Sequence, residues 1–129
     1  MRSVTVRTGE GKFQQFVLAG PHRSLADEPH DLGGDDTGPS PFDHVFAGLG
    51  ACTSMTVKMY ADRKGWPLSA VEVTVSGEKQ GDGYHLKRSV KLVGELSDEQ
   101  RERLLEIANK CPVHKMLTGK IEIESALAL

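Results

Sequence analysis

Gly38-Pro39-Ser40-Pro41-Phe42-Asp43-His44-Val45-Phe46-Ala47-Gly48-Leu49-Gly50-Ala51-Cys52-Thr53-Ser54-Met55-Thr56-Val57-Lys58-Met59-Tyr60-Ala61-Asp62-Arg63-Lys64 reads as one long, mostly buried helix with a cysteine near its middle. The Ser40 hydroxyl can cap the first turn, Pro41 has the fixed φ that suits the first helical position, and Asp43 stands where a capping-box carboxylate reaches back. The end is marked equally well. Arg63 and Lys64 lie in the negatively polarised last turn, Gly65 can turn left-handed, and Pro67 cannot continue a helix.

Helical spacing from Cys52 puts Val45, Gly48, Leu49, Met55, Thr56 and Met59 on its face, so the thiol lies among apolar and small side chains. Phe46, Val57 and Tyr60 make much of the remaining surface apolar, and such a helix must be covered on several sides. The chain has 129 residues, one domain's worth with a limited core. A single domain over residues 1–129 is therefore expected, with part of the cover coming from a second copy in a homodimer.

The formal net charge is -2 with intermixed signs, which gives no electrostatic reason to expect nucleic acid or an anionic membrane as partner. No apolar run approaches a membrane span, and Met1-Arg2-Ser3-Val4-Thr5-Val6 lacks the apolar core of a signal peptide, so a cytoplasmic location is expected. Only two cysteines occur, far apart. In a reducing compartment such a pair favours redox or catalytic chemistry over a permanent bridge, although two inert buried thiols are the plain alternative.

Outward from the helix, Ser3–Arg7 and Phe13–Ala19 read as a hairpin around Gly9-Glu10-Gly11. From Gly20 to Thr37 the composition turns to Pro, Gly, Asp and His, a long loop with room for one short strand and with Leu25 and Leu32 as anchors. Its acidic residues lack the spacing of a calcium loop. Ala70–Ser76 and Leu86–Val93 alternate on either side of Gly81-Asp82-Gly83, the clearest hairpin in the chain. Arg88 falls on its otherwise apolar side, where it reads as a strand-edge charge ahead of the alternative, an inward functional one.

Ser97-Asp98-Glu99-Gln100 is a capping box that opens a helix with Leu104, Leu105, Ile107 and Ala108 on one face, ending at Asn109 or Lys110. Cys111 precedes Pro112 and so sits at a break, as N-cap of a short helix over Pro112–Leu117. A thiolate there gains from free backbone N–H groups. Lys120–Leu127 alternates as a closing strand.

Three stretches now carry a resemblance: Gly38-Pro39-Ser40-Pro41-Phe42-Asp43 leading into Leu49-Gly50-Ala51-Cys52, then Arg63-Lys64-Gly65-Trp66-Pro67-Leu68, then Asn109-Lys110-Cys111-Pro112-Val113-His114-Lys115. With His22-x-x-Leu25-x-Asp27-Glu28-Pro29 ahead of Gly33-Gly34, the chain resembles the OsmC/Ohr family of peroxide-reducing stress proteins, in its OsmC-like branch. The resemblance implies an α+β fold, with antiparallel sheets wrapped around paired central helices in an intertwined homodimer and active sites at the interface. It also implies thiol-dependent reduction of organic hydroperoxides, with Cys52 as the reactive and Cys111 as the resolving cysteine, a dithiol as reductant and no cofactor.

That chemistry needs a stabilised thiolate and a positive group near the leaving oxygen. Burial alone would hold Cys52 as an inert thiol, so a cation is expected beside it. Family members use an arginine oriented by a glutamate. The candidates are Arg23, then Arg7, with Arg88 third. The glutamate position, ten residues before the cysteine in the better-known peroxidases, is Phe42 here; Asp43 reads as a cap, and Asp27 or Glu28 could supply a carboxylate from the loop. Phe42, Phe46, Leu49, Met55 and Met59 are expected to bind the apolar body of the substrate. Two other readings stay open: a zinc site from Cys52, Cys111, His114 and His44, and a non-peroxidatic OsmC-like module that binds a small apolar ligand or metal at the dimer interface.

Overall fold

A computed structural model describes residues 1–129, which form two compact units, Met1–Ala47 and Gly48–Leu129. In the first unit, β1 (Thr5–Thr8), β2 (Gln15–Ala19) and β3 (His22–Ala26) form an antiparallel sheet in that order. Arg7 pairs with Phe16, and Phe16 with Leu25. The first two strands begin about two residues later than the alternation alone predicts. The third strand is the short one that the loop had room for.

From Asp27 to Ser40 the chain has only a 3-10 turn at His30–Leu32, and it is held from within. Asp27 is 2 % exposed; its carboxylate accepts from the backbone N–H groups of Glu28 (2.7 Å) and Thr37 (3.1 Å) and from the Thr37 hydroxyl. The Asp27 N–H in turn donates to Pro39 O at 3.1 Å, which closes the loop. Of the two expected anchors, Leu25 is half-buried but Leu32 is exposed. A buried, fully bonded carboxylate fastens this loop in place of a second leucine.

α1 (Pro41–Lys64) runs over the stretch marked by its caps. Ser40 Oγ accepts from Asp43 N–H at 3.1 Å while the Asp43 carboxylate accepts from Ser40 N–H at 2.9 Å. At the other end Gly65 turns left-handed at φ 68, with Gly65 N–H on Asp62 O and Trp66 N–H on Ala61 O. These two bonds satisfy carbonyls that a bare helix end leaves free. The expectation of a mostly buried helix is corrected, because the buried residues are Leu49, Thr53, Val57 and Ala61, one stripe at four-residue spacing, and Met55 and Met59 are exposed.

In the second unit β4 (Leu68–Gln80) and β5 (Gly83–Gly94) form a two-stranded antiparallel sheet, turning at Gly81 and Asp82 with Gly81 at φ 58. A glycine with positive φ at the first turn position matches the right-handed twist of the strands. Val71 faces Leu92, Val73 faces Val90 and Val75 faces Arg88, all half-buried.

α2 (Asp98–Ala108) has the capping box read from Ser97 and Gln100, and Asn109 closes it. Leu104, Ile107 and Ala108 are buried, but Leu105 is exposed, because the buried face is narrower than four apolar residues require. Leu104 and Ala108 join Val57, Ala61 and Leu68 in the core, with Tyr60, Trp66, Val71, Val90, Leu92 and Leu96 packed around them. Arg101 ties α2 to the sheet through Leu92 O (3.0 Å) and Gly94 O (2.9 Å).

α3 (Pro112–Thr118) follows the predicted break. The closing strand is not formed. Lys120–Leu127 is exposed without ladder partners, since alternation supplies two faces but not a neighbouring strand. The architecture is α+β, and no helix is long and apolar enough to cross a membrane.

Candidate active site around Cys111

Pro112 sets the site. Its preference for an extended predecessor leaves Cys111 at φ -63 and ψ 138, so the thiol stands at the N-cap of α3 and accepts from His114 N–H at 3.3 Å. Cys111 is fully buried; Cys52 on α1 is half-buried, and neither cysteine is in a disulfide.

Cys52 stands one residue before Thr53 on α1, and its side chain is among the influences that lower the Cys111 pKa. Thr53, the next residue of α1, is buried and brings its Oγ1 to 3.8 Å from Cys111 Sγ. Burial is the largest single influence on the Cys111 thiol and pushes its pKa up. Hydrogen bonds from His114 N–H, Cys52, Thr53 and Val113 N–H outweigh it together, so the pKa lies below its ordinary value. Hydrogen bonding to the charged form is the physical cause.

Arg88 is the cation in this group. Its Nη1 donates to Thr53 Oγ1 at 3.1 Å and its Nη2 to Asn109 Oδ1 at 2.8 Å. The edge-charge reading is thereby corrected: a charge on the half-buried face of β5 is turned inward onto neutral oxygen acceptors. One signal for this was in the sequence, since Arg88 interrupts an otherwise apolar face. Of its partners, Thr53 carried no signal of its own, and Asn109 entered only as a helix end and as the first residue of the stretch Asn109–Lys115.

Arg23 lies in the first unit, exposed on β3 opposite Leu18. Arg7 is exposed on β1, with its guanidinium 5.8 Å from the centre of the Phe16 ring. Asp43 is the α1 cap, and both oxygens of Asp27 serve the loop. Of the expected substrate-binding residues, Leu49 is buried and Phe46 half-buried, while Phe42, Met55 and Met59 are exposed. No group of three or more His, Cys, Asp or Glu side chains is placed to hold a metal ion, so the zinc set is not assembled. His44 Nε2 bonds to Leu25 O at 3.1 Å, and His114 meets Cys111 through its backbone.

Solved structures share this fold. An OsmC-like protein from Mycoplasma pneumoniae superposes with a TM-score of 0.77 at 20% identity, covering 92% of this chain and 88% of its own. The organic hydroperoxide resistance protein OsmC from Legionella pneumophila gives 0.70 at 20% identity, with 92% and 90% covered. The organic hydroperoxide resistance protein OhrB of Bacillus subtilis gives 0.65 at 22% identity, with 92% and 91% covered. A search of curated proteins finds no match. The family model described as OsmC-like protein matches residues 33–126, a span that holds both cysteines, Thr53 and Arg88, and the chain belongs to that family.

Proposed function

We propose that the protein is a thiol peroxidase that reduces organic hydroperoxides in oxidative-stress defence. The observation that carries this is the convergence on Cys111, in a chain with only two cysteines, both unbridged, of the His114 N–H and of the Thr53 hydroxyl, whose neighbour on α1 is Cys52. The Cys52 thiolate attacks the outer peroxide oxygen; an S–O bond forms, the O–O bond breaks, and the alkoxide takes a proton to leave as an alcohol. The Cys111 thiolate then attacks the Cys52 sulfenic acid, an S–S bond forms, and hydroxide leaves as water after protonation. A dithiol reductant, itself oxidised to a disulfide, returns both thiols.

The similarity of fold to two proteins named for organic hydroperoxide resistance supports this reading. Hydroperoxides with apolar bodies are preferred over hydrogen peroxide, because only the former gain from burial against apolar side chains such as the exposed Met55 and Met59 of α1. Equal rates with both classes in a thiol-coupled assay would count against that preference.

Mass spectrometry after stoichiometric oxidation tests the cysteine roles. A Cys52–Cys111 disulfide is expected in the parent, no turnover in Cys52→Ser, and a single stalled oxidation on Cys52 in Cys111→Ser. Full multiple turnover in Cys111→Ser removes the resolving role, and oxidation of Cys111 with Cys52 unmodified reverses the two. A non-peroxidatic binding module is the second reading, favoured by Phe42 in place of a carboxylate ten residues before Cys52. Absence of peroxide consumption together with ligand binding would select it.

A further inference from the structure

A hydroxyl has one proton, and that of Thr53 has two acceptors within reach. Oγ1 lies 2.7 Å from Leu49 O, one turn back along α1, and 3.8 Å from Cys111 Sγ. Arg88 Nη1 meets the same oxygen from 3.1 Å as a donor. It occupies a lone pair and does not compete for the proton, and by withdrawing electron density it makes the O–H a stronger donor. The second Arg88 bond, to Asn109 Oδ1, fixes the guanidinium against the residue two before Cys111.

We propose that Arg88 and Thr53 are positioning residues for Cys111: the guanidinium polarises the Thr53 hydroxyl, and its proton swings from Leu49 O to the Cys111 sulfur whenever that sulfur carries negative charge. The use of this relay in catalysis rests on the thiol-peroxidase reading. As a thiol or in a disulfide, sulfur is a weak acceptor and the proton stays on Leu49 O. As a thiolate it is a charged acceptor, and charge-assisted hydrogen bonds are about twice as strong as neutral ones. The swing is a rotation of the hydroxyl; no covalent bond breaks. The cation thus acts on sulfur through an intervening oxygen, which stabilises negative charge without an ion pair on the nucleophile itself. The lowered pKa of Cys111 agrees with this, with Thr53 among its causes. The charged and titratable groups that act on Cys111 are Arg88 on β5, through Thr53, Cys52 on α1, and His114 on its own segment, which donates its backbone N–H; Lys110 precedes it in sequence and is exposed.

The test is a spectroscopic titration of thiolate absorbance in the full chain carrying Cys52→Ser, so that Cys111 is the one thiol observed. Thr53→Val should raise the midpoint by about one pH unit, a tenfold loss of thiolate at neutral pH, while Thr53→Ser, which keeps the hydroxyl, should restore it. Arg88→Met should raise the midpoint likewise, and Arg88→Lys, which keeps charge but loses the two-pronged geometry, should fall between. Circular dichroism checks the fold, and if Arg88→Met does not fold, the Thr53 pair and Arg88→Lys decide. Unchanged midpoints in Thr53→Val and Arg88→Lys overturn the proposal, as does Thr53→Ser behaving like Thr53→Val. The titration needs no peroxide, so failure of the peroxidase reading would leave its outcome intact, and a working peroxidase with unshifted midpoints would refute the relay alone.

Discussion

Arg88 of β5 and Asn109 at the end of α2 are joined by a hydrogen bond of 2.8 Å across 21 residues of sequence. It is the second anchor of a guanidinium that also holds Thr53, so it fixes the hairpin to the turn that carries Cys111. Asn109→Ala should lower stability by about 1 kcal/mol, the scale of a partly exposed hydrogen bond to a charged group. Urea denaturation measures it, and a change below the error of the midpoint would show that the bond contributes nothing to the fold.

Leu104 has no exposed surface and belongs to the core with Val57, Ala61, Leu68 and Ala108. Leu104→Ala removes buried methyl groups and leaves a cavity, so a loss of about 2–5 kcal/mol is expected in chemical denaturation. Leu105→Ala, its exposed neighbour, should cost far less. The contrast between adjacent leucines checks which face of α2 is buried.

At the end of α1, a Cβ on Gly65 would meet no neighbouring atom within 4 Å, so any penalty there is conformational. With φ at 68, Gly65→Ala should destabilise by about 1–2 kcal/mol, and Gly65→Asn by less, because asparagine tolerates the left-handed region better. Thermal denaturation of the two variants beside the parent reads the difference. Equal melting temperatures in all three would contradict the left-handed cap.

The Thr37 hydroxyl is the largest influence on Asp27 and lowers its pKa; burial opposes it, and the backbone N–H groups of Thr37, Glu28 and Asp35 lower it further. Because the carboxyl in the fold titrates below its unfolded value, its contribution to stability is complete above the unfolded value. That contribution falls away as the pH drops through the lower folded one. The stability difference between the parent and Asp27→Asn should therefore be largest near neutrality and shrink in acid. A difference independent of pH would mean that the charge of Asp27 is not what holds the loop.

Association is the remaining expectation. Phe42, Val45, Met55 and Met59 are large apolar side chains of α1 that remain exposed in the single chain. A homodimer that covers them should appear in sedimentation at low micromolar concentration, and a folded monomer there would remove its basis.

What the sequence made legible was local. Ser40 with Asp43, and Ser97 with Gln100, are three residues apart, so each helix start is determined by groups that the chain itself brings together. Cys111 before Pro112 was readable as an N-cap for the same reason. Arg88 was misread as an edge charge because its partners Thr53 and Asn109 lie 35 and 21 residues away, beyond any periodicity. Lys120–Leu127 showed the opposite failure. Its alternation is real, but a strand also needs a neighbour, which no pattern within the segment specifies.

Cys111, buried at the meeting of segments up to 58 residues apart, has a use that needs no catalysis. A chemical label can reach its sulfur only when the turn between α2 and α3 opens, so the labelling rate of the native chain reports the free energy of that opening. The thiol is thus a built-in clock for local unfolding at that one turn, readable with a thiol label and without an engineered cysteine.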